Sequence, residues 1–234
     1  KIIEDASHAI GGRYLNNPIG DCRYSDIAVF SFHPVKIITT GEGGMALTNN
    51  EELFKKMNRL RTHGITNDKE LMEPRSDNEI WNYQQIELGF NYRMTDIHAA
   101  LGISQMKRLD NFVSHRHALK DRYDQMLSDL PLILPYQNKD TYSSLHLYPI
   151  QVDLKKINQS HSTIFRSLRE KGLGVNLHYI PIHRHPYYQK IGFKSGDFPI
   201  AENYFKQAIS IPLFYSLSFE NQDKVVNIIK QVLR

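Results

Sequence analysis

Ser31-Phe-His-Pro-Val-Lys36, running on as Ile37-Ile-Thr-Thr-Gly-Glu-Gly-Gly44, decides how this chain is read. An apolar run, Ile27 to Phe32, leads into it and reads as a strand. Lys36 stands just past that strand, with a hydroxyl, Ser31, five residues before it and a glycine-rich turn after it. Met45-Ala-Leu-Thr48 beyond the turn, and Ile2-Ile3 before Asp5, read as two further strands. These runs are continuous rather than alternating, which predicts a sheet covered on both faces.

A lysine in such a setting can be desolvated, lose its proton near neutral pH and attack an aldehyde. About thirty residues upstream, Asp5 puts a carboxylate at the end of a strand. Buried there it would be costly unless paired, either with a protonated pyridine nitrogen or with an arginine. Lysine and carboxylate together meet the needs of pyridoxal phosphate: one holds the aldehyde, the other keeps the ring nitrogen protonated. Ser31 could donate its hydroxyl to a phosphate or be a plain strand serine. His8 could stack on or hydrogen-bond a ring, or sit on the surface. Asn91 and Arg93 could be turn formers only. His178, His183 and His185 match no closed four-ligand pattern, so no metal is expected. Tyr179, Tyr187 and Tyr188 among them suit a mouth that grips a polar, ring-shaped substrate.

At 234 residues and 41% apolar content, the chain can bury a sizeable core in one or two domains. The net charge of +4, from 29 basic and 25 acidic residues, is scattered, and no basic tract argues for nucleic acid. A single cysteine, Cys22, points to a reducing compartment. No run of about eighteen apolar residues and no signal pattern is present, so a cytoplasmic protein without membrane attachment is expected. The chain opens Lys1-Ile-Ile-Glu-Asp5, inside a strand and without methionine, which suggests that an N-terminal part of a longer protein precedes it.

Asn49-Asn50 opens a helix to about Arg61, and a polar stretch over 62–83 reads as a long loop. Thr95 is a good N-cap for a helix that is apolar on more than one side (Ile97, Leu101, Ile103, Met106), which predicts burial against several partners. Gly102 inside it costs about 1 kcal/mol relative to alanine, so close packing is expected there. A polar helix follows, His115 to about Asp129, stopped by Pro131. Beyond it the pattern predicts strands over 145–152, 175–179 and 209–211, a helix carrying Ile164, Phe165 and Leu168, and a last helix from about Ser218.

Four segments occur in order: Glu4-Asp-Ala-Ser-His-Ala-Ile-Gly11, the Ser31 to Gly44 stretch, Gly89-Phe-Asn-Tyr-Arg-Met-Thr-Asp96 with Ala99-Ala-Leu-Gly102, and His178-Tyr-Ile-Pro-Ile-His183. Over essentially its whole length the chain resembles the DegT/DnrJ/EryC1/StrS family of pyridoxal-phosphate sugar aminotransferases. Its wording around Lys36 and over His183-Arg-His-Pro-Tyr-Tyr188 resembles the branch that makes UDP-linked 4-amino-4,6-dideoxy-N-acetylhexoses. The resemblance implies the α/β, type I aminotransferase fold. Residues 1–130 would be part of the large domain, with a mostly parallel sheet and the inter-domain helix, and 131–234 a smaller C-terminal α+β domain. It implies a homodimer with the active site shared between subunits.

Lys36 would form the Schiff base and move the proton. Asp5 would pair with the pyridine nitrogen, and His8 would lie near the ring's phenolic oxygen. Ser31 would hold the phosphate, and Asn91 would reach the phosphate of the partner subunit's cofactor. Arg93, His178, Tyr179 and His183 fall on the substrate side. The implied reaction takes the amino group of L-glutamate to C4 of a nucleotide-linked 4-keto-6-deoxy sugar. Relatives carry a further N-terminal portion with a Gly-Thr or Gly-Ser phosphate turn, which this sequence lacks. Alone, the chain is expected to bind cofactor poorly or misfold, and a non-catalytic fragment or scaffold is the alternative reading.

Overall fold

The computed structural model describes residues 1–76 and 78–233; Asp77, within the expected 62–83 loop, and Arg234, the last residue of the expected 131–234 domain, lie outside them. The chain divides into two compact units, Lys1–Leu109 and Asp110–Arg234. Among the described residues no helix is long and apolar enough to cross a membrane.

The first unit is built on a three-stranded sheet in which β4 (Ile27–Ser31) lies between β1 (Ile3–Asp5) and β5 (Gly44–Leu47). β1 runs parallel to β4 with Asp5 opposite Val29, and β5 runs antiparallel with Gly44 opposite Ser31, so the sheet holds one ladder of each sense. Side chains alternate across a strand, which puts Ile3, Asp5, Val29 and Ser31 on one face and Glu4, Ala28 and Phe30 on the other. The second face is covered: Ala28 and Phe30 are buried. A Cβ at Gly20 would lie 2.7 Å from the Phe30 ring. Gly20 follows a hairpin of β2 (Arg13–Tyr14) and β3 (Asn17–Pro18), turned by Leu15 and Asn16 at φ 46° and 65°. Cover on both faces was expected. On the first face Ile3, Asp5 and Val29 remain exposed.

Helix α1 (Glu51–Leu60) is capped by Asn50, whose side chain accepts from Leu53 N at 2.9 Å. The expected loop after it contains half of a wide hairpin, β6 (Ile65–Thr66) on β7 (Gln84–Gln85). Thr95 caps α2 (Asp96–Met106) by accepting from His98 N at 3.2 Å. Burial of α2 on several sides was expected; Gly102 is its one buried residue, and Ile97 is 82% exposed.

The second unit carries an antiparallel sheet with β10 (Tyr148–Val152) between β8 (Leu132–Ile133) and β11 (Ala208–Ile211). A two-residue strand, β9 (Thr141–Tyr142), precedes β10. Tyr148 and Ile150 face Ile211 and Ile209 across the ladder. The same core takes Leu119 and Tyr123 of α3 (Leu109–Met126), Leu127 just past its end, Ile164 and Leu168 of α4 (His161–Glu170), and Val226 and Ile229 of the last helix (Phe219–Leu233). Thus the helix expected to join the two domains packs with the second unit. The buried Arg116 guanidinium ties α3 to two loops, donating to Leu145 O at 3.1 Å and Leu213 O at 2.8 Å.

Two expected strands came out shorter. Leu145 sits at φ 53°, so that strand begins at Tyr148. The segment 175–179 keeps only a bridge between Asn176 and Ser210. Its neighbouring amides bond locally instead, Val175 N to Leu173 O and Leu177 N to Asn176 Oδ1.

Candidate active site

Parallel pairing of β1 and β4 brings the carboxyl ends of both strands to the same end of the sheet, where ligands of open α/β sheets bind. Asp5 ends β1 there, and Ser31 ends β4 on the same uncovered face. The carboxylate is held in an Asx turn: Ser7 N donates to Asp5 Oδ1 at 3.0 Å and Ser7 Oγ at 2.5 Å. Those two bonds, side chain first, keep the Asp5 pKa below its usual value; the charges of His8 and Lys36 add to the effect. Both bonds from Ser7 go to the same carboxylate oxygen, Oδ1. The Asp-x-Ser spacing over 5–7 is the sequence signal for this turn.

Lys36 follows β4 in a loop that closes on itself. Phe32 N donates to Gly43 O at 2.8 Å, Thr40 N to Phe32 O at 3.1 Å, and Lys36 N to His33 O at 2.9 Å. Ile37 and Ile38 are buried and anchor the loop beside Lys36. Partial burial pushes the Lys36 ammonium below its usual pKa, while the Asp5 charge pulls it back up. Each group therefore feels the other, and together with His8 and Ser31 they gather at one end of one sheet.

Asn91 and Arg93 pair with each other instead. Arg93 Nη2 and Nε donate to Asn91 Oδ1 at 3.2 and 3.3 Å, beside the stacked rings of Phe90 and Tyr92. His178, Tyr179 and His183 belong to the second unit. His178 Nδ1 bonds Ser210 Oγ at 2.8 Å, and Tyr179 is exposed on a largely apolar groove shared with Ile182, Phe198 and Tyr204. His183 turns inward: its Nε2 lies 2.8 Å from Glu202 Oε1, and both side chains are buried. Among the described residues no cluster of three or more His, Cys, Asp or Glu could hold a metal.

The Glu202 carboxylate also accepts from Gly196 N at 2.6 Å and Ser195 Oγ at 3.2 Å. The Gly196 amide first, then His183, hold its pKa well below the ordinary range, at about 2. A depressed folded pKa contributes stability that is present above the unfolded value of 4.5 and lost as pH falls towards 2. Glu202→Gln is expected to lower the melting temperature at neutral pH and to converge with the parent in strong acid. Equal melting temperatures at neutral pH would contradict this role.

The chain shares the type I fold of pyridoxal-phosphate sugar aminotransferases, as its likeness to solved members of that class shows. Residues 1–230 match the profile of the DegT/DnrJ/EryC1/StrS aminotransferase family, and the chain belongs to that family. It is 38% identical over its full length to the spore coat polysaccharide biosynthesis protein SpsC of Bacillus subtilis, covering 60% of that protein. It is 35% identical to the UDP-4-amino-4,6-dideoxy-N-acetyl-β-L-altrosamine transaminase of Campylobacter jejuni, over 99% of this chain and 59% of the relative. Among solved structures, the aminotransferase PseC of Helicobacter pylori, involved in pseudaminic acid biosynthesis, superposes with a TM-score of 0.87 at 30% identity. That match spans 99% of this chain and 59% of PseC. The chain thus spans about three-fifths of the length of the curated relatives it matches.

Aminotransferases of this family use pyridoxal phosphate, and solved relatives include forms carrying it and its amino counterpart. The donor set here fits that group. It comprises a carboxylate kept ionised at Asp5, a hydroxyl at Ser31 and a partly buried amine at Lys36, the group types that a pyridine nitrogen, a phosphate and an aldehyde call for.

Proposed function

We propose that this chain carries the catalytic lysine of a nucleotide-sugar aminotransferase. The overall reaction exchanges the amino group of L-glutamate for the C4 carbonyl oxygen of a UDP-linked 4-keto-6-deoxy-N-acetylhexosamine, leaving 2-oxoglutarate. The bound cofactor supplies an electron sink. Lys36 Nζ holds its aldehyde carbon between turnovers and moves the proton during them. Asp5, kept ionised by Ser7, holds the pyridine nitrogen protonated. Ser31 anchors the phosphate, and His8 lies beside the ring. Arg93, His178, Tyr179 and His183 are assigned to the substrate side, His183 by bracing the groove through Glu202.

The reading includes a homodimer, in which Asn91 serves the partner subunit's phosphate. Exposed apolar residues on two sides of α2, Ile97 and Leu101 on one and Ile103 and Met106 on another, support covering partners there. A cytoplasmic location is part of the same reading, supported by the single thiol of Cys22.

The observation that carries this reading is the joint placement of Asp5 and Ser31 on one open sheet face with the electrostatically coupled Lys36. Borohydride reduction of the cofactor-loaded protein, followed by peptide mapping, is expected to place the label on Lys36. A panel of UDP- and dTDP-linked 4-keto sugars with glutamate is expected to give an amino sugar from a UDP substrate. Labelling elsewhere, or no amine product from any of the panel, would leave the scaffold reading instead.

A further inference from the structure

We propose that Thr40 and Gly102 form a seat that fixes the lysine loop on helix α2, which makes Thr40 a positioning residue for Lys36. Thr40 is 1% exposed although it lies in a polar glycine-rich turn. Its hydroxyl is used inside the turn, donating to Glu42 O at 2.7 Å, and its amide donates to Phe32 O at 3.1 Å. Its methyl points the other way: a Cβ built on Gly102 would stand 2.8 Å from Thr40 Cγ2. Gly102 lies inside α2 at ordinary helical geometry, so no backbone freedom is needed there. A helix-interior glycine costs about 1 kcal/mol against alanine, and close approach of the Thr40 methyl is what it permits here.

The same stretch meets the turn at two more places. A Cβ at Gly43 would come within 2.8 Å of Met94 Cε, and one at Gly41 within 3.7 Å of the His98 ring. Lys36 is four residues from Thr40, and the intervening Ile37 and Ile38 are buried, so the main chain between them has little freedom. A displacement of the seat is therefore passed on to the lysine backbone. Tightly packed interiors transmit strain in this way.

This inference rests on Lys36 being the cofactor lysine, and two separable readouts test it in the protein as its gene encodes it. The first, without cofactor, is hydrogen exchange of the amides of Phe32, Lys36 and Thr40. The second, with cofactor, is the pH midpoint of the visible absorbance. Gly102→Ala drives a methyl into the seat and is expected to speed exchange about tenfold and to shift the midpoint. Thr40→Ser keeps the bond to Glu42 O but removes the clashing methyl, so Thr40→Ser/Gly102→Ala is expected to restore both. General destabilisation by alanine would not be reversed by deleting a second methyl.

Unchanged exchange and midpoint in folded Gly102→Ala, or a double variant no better than the single one, would overturn the proposal. Should Gly102→Ala not fold, Thr40→Ser alone carries the test: faster exchange supports the seat and unchanged exchange overturns it. If borohydride fails to label Lys36 in the parent, the functional reading falls while the exchange arm still reports on the seat.

Discussion

Lys36→Ala is expected to reduce transamination by at least about 10³-fold, the scale at which a positioned acid–base and nucleophilic group acts. The size follows from a double role. In the proposed reading Lys36 Nζ is both the attachment point for the aldehyde and the base that shuttles the proton, so one truncation would remove both functions. The fold tolerates the change: Lys36 is only partly buried, and its loop is held by the Phe32, Thr40 and Gly43 backbone and by buried Ile37 and Ile38. The melting temperature should therefore move little while turnover collapses. Added small amines are expected to restore a fraction of the rate. Turnover within tenfold of the parent would remove Lys36 from the chemistry.

Asp5→Asn is expected to cost about 10² to 10³-fold in turnover, the usual price of removing one preorganised electrostatic partner. Asparagine keeps the shape and can still accept from Ser7, but it cannot hold a pyridine nitrogen in its protonated form. Ser7→Ala is the graded version of the same experiment. Ser7 is the main cause of the depressed Asp5 pKa, so its loss raises that pKa. The acid limb of the rate profile should then move to higher pH, with the neutral rate largely kept. An unchanged acid limb in Ser7→Ala would show that Asp5 does not govern it.

Much of the scaffold of the proposed site was readable from residue order. The run Ile27 to Phe32 followed by Lys36 and paired glycines located the loop, and Asp5 at a strand end located its counterpart. Asn50 and Thr95 act as the caps their side chains suggested. What escaped the sequence depends on distance along the chain. The partner of His183 is Glu202, nineteen residues on, and nothing local distinguishes a buried histidine from a groove-facing one. The Leu15-Asn16 hairpin was hidden because leucine rarely adopts positive φ. The two-sided sheet failed for a different reason. Continuous apolar runs report that both faces are suited to burial, whereas Ile3, Asp5 and Val29 on one face stay exposed. Apolar α2 shows the same limit: its composition announced contact without saying which molecule supplies it.

The bond from Arg93 to Asn91 has a consequence for what position 91 can become. A guanidinium only donates, so it claims the amide oxygen and leaves the amide nitrogen to serve some other acceptor. Aspartate would satisfy Arg93 at least as well, yet it would present a negative oxygen where asparagine presents two hydrogens. Local folding thus tolerates either residue, and an anion approaching from outside accepts only one.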